Sequence, residues 1–440
     1  MKKILLICLL SLVCNDANAY LDPGSGNALL CMFFSLLGAM AFYIRTFISK
    51  LLRFINSVWK KNKENNEEEQ YELHIAILSE GKNYWYTYKP ILDELIARKI
   101  HFIYYSMDIE DPALVYDNKY LHSKYIGKGG RAYAKVGSLK VKLLITTTPN
   151  IGCSDYPLKK PAHINKLVHI WHSVCDSSGY HLGALDYYDV ALTVGDWVEK
   201  SLRDVEKIRN INKKEIYAVG LPYLDELKSI HEVQEKVFSK HDECPVILLA
   251  PSWGQKCCLK MYGTKFIDYL LKNGYRVIIR PHPQSLKVER NLISLLENMY
   301  SNNSNVFFDF EPDGSESMKK SSIMISDNSG VRFDYAFIYE KPVLTLDVPG
   351  ELLTEYEACL LGRHWGENES SLIGVKLSMD DLKNSSESNE QTFLKAVNDT
   401  MNFSPERLKF FRSNIIKNFG CSATKITDWI EKEISVKSKC

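Results

Sequence analysis

SSIMISDNSGVRFDYAFIYEKPVLTLD, residues 321–347, reads in order as strand, turn, helix and strand. SSIMI is a short apolar run of strand length, and Ser, Asp, Asn and Gly are turn formers. VRFDYAFIY follows as a helix, and KPVLTLD is apolar and β-branched. Strands joined through a helix pair in parallel, because antiparallel neighbours need only a tight hairpin. The pattern extends outward. PVILLAPSW (245–253), YRVIIRPHP (275–283) and NVFFDF (305–310) are further strand candidates, with helical segments near 262–272 and 286–300. An earlier series runs LHIAILSEG (73–81), IHFIYYSMD (100–108), VKLLITTTP (141–149), LVHIWHS (167–173), DVALTVG (189–195) and EIYAVGLP (215–222). YKPILDELIARK (88–99) and WVEKSLRDVEKI (197–208) are its helices, and the polar HEVQEKVFSKHDE (231–243) separates the two series. Continuous apolar strands alternating with helices belong to parallel sheets covered on both faces. The sequence therefore predicts an α/β chain with two doubly wound domains, 71–235 and 236–395, facing a cleft. Amphipathic C-terminal helices over 404–419 and 422–434 fill the segment 396–440.

Composition narrows the function classes. The 440 residues carry 55 Lys+Arg and 54 Asp+Glu, and a net charge of +1 excludes a uniformly basic nucleic-acid binder. At 45% hydrophobic and 25% charged residues, the bulk of the chain folds. The 11 cysteines are too sparse for a disulfide scaffold. Beyond residue 70 their spacing shows no framework, which suits reduced thiols. His241, Cys244, Cys257 and Cys258 match no standard zinc spacing. With no GxGxxG, Walker A or Asp-x-Asp motif, neither a metal nor a cofactor is expected.

The N-terminus differs from the rest. Lys2 and Lys3, the apolar run Ile4–Val13 and Ala17-Asn18-Ala19 form a secretory signal peptide over 1–19. An uncleaved first membrane helix is the alternative. Asn27–Ile44 is 18 residues without a charge, about 27 Å as a helix, and is expected to span a membrane. Arg45, Lys50, Arg53, Lys60, Lys61 and Lys63 follow with no acid among residues 45–63. The positive-inside rule then puts the body in the cytoplasm, held at the inner membrane by a single pass. The alternative is a secreted protein with a buried N-terminal helix. Residues 45–60 are both basic and amphipathic, suited to an anionic leaflet, and 61–70 are a charged linker. Residues 20–70 are thus a membrane helix with a basic juxtamembrane linker.

Ligands of open parallel sheets bind outside the carboxyl ends of strands. His172 lies at such an end, where alternation separates Val168, Ile170 and His172 from His169 and Trp171. A histidine there suits a general base, or is simply bonded within its loop. Arg280 and His282 sit on a turn stiffened by Pro281 and Pro283, either to grip a phosphate or as a structural corner. Ser326, Asp327, Asn328, Ser329 and Gly330 precede a helix, whose free N–H groups attract phosphate. The same Ser and Asp also serve as plain N-caps.

Taken together these segments resemble the CDP-glycerol glycerophosphotransferase family of teichoic-acid primases and polymerases. Pro251, Ser252 and Trp253 match its Pro-Thr-Trp-Arg segment loosely, with Gly254 in place of Arg. His282-Pro283 matches its HP turn. Ser326, Asp327 and Ser329 match its SDYSS segment, followed by Phe333-Asp334-Tyr335 and Lys341-Pro342. Trp171-His172 resembles its Trp-His-Gly, and Gly220, Pro222 and Asp225 its GxPRxD, with Tyr223 where Arg is usual. The resemblance implies two Rossmann-like domains of the GT-B type at a cytoplasmic membrane face. It implies transfer of a polyol phosphate from a CDP-linked donor to a hydroxyl of a lipid-linked or glycan acceptor, releasing CMP. His172 and His282 would be catalytic. Arg280, Ser252 and residues 326–330 would bind the donor nucleotide and phosphates, and Asp225 and Trp171 would lie on the acceptor side. A glycosyltransferase using a nucleotide sugar, a sugar-nucleotide epimerase and a non-catalytic envelope scaffold are the competing readings.

Overall fold

The computed structural model describes residues 73–235, 245–311, 313–348, 355–367, 369–382 and 386–435. The expected signal peptide, membrane helix and basic linker, together with His241 and Cys244, lie outside the described residues. Among the described residues no helix is long and apolar enough to cross a membrane.

Two all-parallel sheets form the body. The first has seven strands: β1 (Ile75–Ser79), β2 (Phe102–Ser106), β3 (Leu121–Tyr125), β4 (Lys140–Thr146), β5 (His163–Ile170), β6 (Val190–Thr193) and β7 (Glu215–Ala218). Their spatial order is β3-β2-β1-β4-β5-β6-β7. The second has six: β8 (Val246–Leu249), β9 (Arg276–Ile279), β10 (Val306–Phe308), β11 (Ile323–Ser326), β12 (Val343–Leu346) and β13 (Gly374–Leu377), in the order β10-β9-β8-β11-β12-β13. The quoted stretch is β11, the helix Val331–Ile338 and β12, with Met324 paired in parallel to Val343.

Two strands were not legible in the sequence. β3 (LHSKY) and β13 (GVKL) are edge strands. An edge needs less apolar cover, so polar residues survive there and the apolar run that marks an inner strand is missing. The helix expected over 286–300 is broken at Glu289 into Ser285–Val288 and Arg290–Tyr300.

Strand alternation sorts the core. Ile75 and Ile77 point to one face of the first sheet, Ala76 and Leu78 to the other. Ile247 and Leu249 separate likewise from Val246 and Leu248 in the second. One buried cluster joins the inner faces of both sheets through Leu221, Leu224, Phe333 and Phe337. The last described helix, Ser422–Ser435, returns to the first sheet, where Ala423, Ile426, Trp429 and Ile430 pack with β1, β4 and β5. Gly220 (φ +100°) permits the return, because a Cβ there would sit 2.2 Å from the Lys417 carbonyl oxygen.

Candidate active site

In the second sheet the strand order reverses between β8 and β11, and an open parallel sheet binds its ligands at such a reversal. Asp327 organises this crevice. Its fully buried carboxylate accepts N–H bonds from Ser252 (2.8 Å), Cys258 (2.7 Å) and Ser329 (3.3 Å). Ser326 donates its hydroxyl to the Ala250 carbonyl at 2.6 Å. These bonds tie the loop after β11 to the loop after β8. They also correct the capping expectation for Ser326 and Asp327. Neither caps the helix, whose N-cap is Gly330 without a side-chain bond. The Asp327 carboxylate is acceptor-only, and here it gathers three backbone N–H groups. At the uncapped helix start Asn328 and Gly330 are exposed and Ser329 is nearly buried, just past the carboxyl end of β11.

The turn after β9 closes the other side. The His282 Nδ1 accepts from the Gln284 N–H at 3.1 Å, and Trp253, half exposed, stacks over the ring at 6.3 Å. Burial lowers the His282 pKa, while the charges of Asp327 and Glu289 oppose that shift. Arg280 is paired within the protein. Its guanidinium donates to Asp309 at 2.8 Å and to the Glu311 carbonyl at 2.9 Å. Gly314 makes room for it, for a Cβ there would meet Nε at 2.5 Å. The arginine therefore braces the loops after β9 and β10.

His172 lies on the first sheet, two residues past β5. The ring is partly exposed, yet Nδ1 is buried without a hydrogen-bond partner. Desolvation pulls its pKa down to about 4, so the imidazole is neutral at pH 7 and able to accept a proton. The Tyr84 ring meets it edge-on at 5.3 Å. His169 points to the other face, as alternation requires, and its Nε2 meets the Tyr180 hydroxyl at 2.9 Å.

Both acceptor-side residues are committed elsewhere. Trp171 is fully buried, its indole N–H donating to the Cys175 carbonyl at 2.9 Å, so it supports the His172 loop from beneath. Asp225 accepts from the Gly420 and Ser422 N–H groups, both at 2.6 Å, and anchors the start of the returning helix.

Contacts between the two halves escaped the sequence reading because each pairs residues distant in the chain. Tyr223 donates to Asp334 at 3.1 Å, Arg363 to Asp176 at 2.7 Å, and Trp197 stacks on Trp365 at 4.8 Å. Glu80 was also missed. It follows β1 at the reversal of the first sheet and accepts from the Tyr156 hydroxyl at 3.4 Å. Its place directly after a strand was the available signal.

Residues 188–351 match the family described as CDP-Glycerol:Poly(glycerophosphate) glycerophosphotransferase. The match spans the loops after β8, β9 and β11. A structure of the wall teichoic acid polymerase TagF, a histidine-to-asparagine variant soaked with CDPG, is 16% identical. The likeness covers 88% of this chain and 97% of that one, with a TM-score of 0.52. The UDP-GlcNAc 2-epimerase of Methanocaldococcus jannaschii, in complex with UDP-GlcNAc and UDP, is 14% identical over 81% of this chain and 99% of that one, with a TM-score of 0.53. At such identities the likeness is one of fold: two parallel-sheet α/β domains, GT-B-like. No curated protein matches the chain.

Proposed function

We propose that this chain, a CDP-glycerol glycerophosphotransferase-like transferase, moves a glycerol or ribitol phosphate from a CDP-linked donor to a hydroxyl of a lipid-linked or glycan acceptor in cell-envelope polymer synthesis. The observation that carries this reading is the family match over 188–351, which takes in the loops after β8, β9 and β11; His172 lies before the matched residues. His172 takes the proton of the acceptor hydroxyl. The oxygen attacks the phosphorus next to the polyol, the bond from that phosphorus to the bridging oxygen breaks, and CMP leaves with the electron pair. His282 and the helix start at Ser329 and Gly330 stabilise charge on the pyrophosphate. Arg280 and Asp327 hold the loops that present them, and the exposed Trp253 offers a stacking face for the donor.

The body works in the cytoplasm, attached to the inner membrane through residues 20–70. The uncharged 27–44 stretch and its basic flank support that placement. Protease protection in right-side-out and inverted vesicles tests it, and a body cleaved from the outer face would refute it.

The activity is tested by incubating the full chain and membranes with CDP-glycerol, CDP-ribitol or UDP-sugars and following nucleotide release. CMP release that requires the acceptor membranes is expected with a CDP-polyol. Release of UDP alone would establish a sugar transferase, and no release from any donor would establish a scaffold.

A further inference from the structure

We propose that Tyr84 is a positioning residue for His172: its ring, in place of a hydrogen-bonded acid, holds the imidazole in orientation and shields it from water. The inference rests on the reading of His172 as the base. A histidine that accepts a proton is ordinarily oriented by a carboxylate or carbonyl on its second nitrogen. Here Nδ1 is buried and has no such partner. What meets the ring is Tyr84, in a T-shaped pair at 5.3 Å and an interplanar angle of 88°. Aromatic pairs in that geometry attract beyond their area burial, which biases a ring orientation.

The sequence around Tyr84 builds a support for it. Tyr84 closes the short 3-10 turn Lys82–Tyr84, which runs straight into the helix Trp85–Ala97. Its N–H donates to the Gly81 carbonyl at 3.0 Å, and Gly81 is tied to the Ser79 hydroxyl at the end of β1. Gly81 has φ +139°, and a Cβ there would fall 2.4 Å from the Asp108 Cβ, so glycine is required for the turn to fit. The phenol faces Glu80. Burial, then the Glu80 charge, raises the Tyr84 pKa, so the hydroxyl stays protonated. Tyr156 donates to the same carboxylate. Tyr156, Glu80, Tyr84 and His172 thus form a row across the carboxyl ends of the first sheet.

The titratable groups around His172 are few. Nearest it in sequence on its own strand and loop are His169, buried and held neutral, Cys175, whose thiol burial raises to about 11, and the buried Asp176, which pairs with Arg363 at 2.7 Å. From the turn after β1 they are Tyr84 and, behind it, Glu80. No charged group is among the causes that depress His172, and its low pKa follows from desolvation alone. Removing the Tyr84 ring admits water to the imidazole and frees its orientation.

The test compares Tyr84→Phe and Tyr84→Ala in the full chain. Two readouts are taken: the pH dependence of kcat/KM, and the pH dependence of carbethoxylation of His172, followed by peptide mass spectrometry. In Tyr84→Phe both are expected to keep the low wild-type value. In Tyr84→Ala both rise toward the ordinary histidine value of about 6.5. Turnover in that variant falls about 100-fold with KM little changed, as misorientation of a catalytic group produces. A folded Tyr84→Ala with both profiles unchanged overturns the proposal. So does a Tyr84→Phe that behaves like Tyr84→Ala, since the hydroxyl would then be the active part. If Tyr84→Ala does not fold, Tyr84→Leu, which keeps an apolar anchor without the ring, is read in the same way. Full turnover in His172→Ala would remove the base reading, while the carbethoxylation profile would still decide whether Tyr84 covers the imidazole.

Discussion

At the scale of single residues, the same side chain type does opposite work according to what reaches it. Asp327 lies in a motif that suggests phosphate binding, yet three N–H groups arrive at its carboxylate and turn it inward. His172 is in the reverse position: its Nδ1 is buried and no protein group hydrogen-bonds it, while the ring as a whole is partly exposed. A general base contributes roughly 10²–10⁴-fold. His172→Ala is therefore expected to lose at least about 100-fold in CMP release while its thermal melt and far-UV dichroism stay at wild-type values. A folded variant with normal turnover would take His172 out of the mechanism. Strand alternation made the facing of His172 and His169 readable in advance. The occupancy of Arg280 by Asp309 was not readable, because 29 residues separate them and only the pairing of β9 with β10 brings them together.

Among the elements, the helix Ser422–Ser435 does most to join the ends of the described chain. It packs its apolar stripe on the first sheet, and Arg98 bridges to its Asp428 (2.9 Å) and Glu431 (2.7 Å). Those two pairs are partly exposed and contribute little. The anchor at its start is stronger, because the partly buried Asp225 carboxylate accepts two N–H groups, one on each oxygen. Asp225→Ala should cost about 1–2 kcal/mol, as loss of a helix cap does. Lower midpoints in urea with an unchanged denaturant slope would record it, and an unaltered midpoint would show that the anchor is dispensable. The amphipathic period identified this helix from sequence, but the same stripe would suit any apolar face. Gly220 and Asp225, two hundred residues earlier, select the one it covers.

For the whole molecule, the contact between the halves contains a partly buried acid. Asp334 meets the Tyr223 hydroxyl, and burial raises its pKa to about 7 even though that hydrogen bond opposes the shift. In the unfolded chain an aspartate titrates near 3.9. Between these values the folded state binds the extra proton, so stability falls as pH rises from about 4 to about 7 and then levels off. His172, with its pKa depressed by burial, contributes the opposite slope up to about 6.5. The difference between Asp334→Asn and wild type isolates the aspartate. The variant should gain on wild type as pH rises from 5 to 8, by a few kcal/mol at most. Melting temperatures whose difference is flat over that range would refute an ionising contact. Tyr223 stands where the resemblance leads one to expect arginine, which accounts for the absence of a neutralising charge at this position.

The amino-acid sequence by itself determined the fold class and most of the elements. Apolar runs of strand length alternating with helices leave few arrangements other than two covered parallel sheets, because such strands must be shielded on both faces. It also marked the loops at strand ends where a ligand would bind. The tertiary structure alone decided which polar side chains in those loops are free. Arg280, Asp327, Asp225 and Trp171 were read as ligand contacts, and each is committed to a partner or buried. The reason is physical: a hydrogen bond or ion pair is a property of two groups, and these partners meet only after the sheets have brought distant segments together.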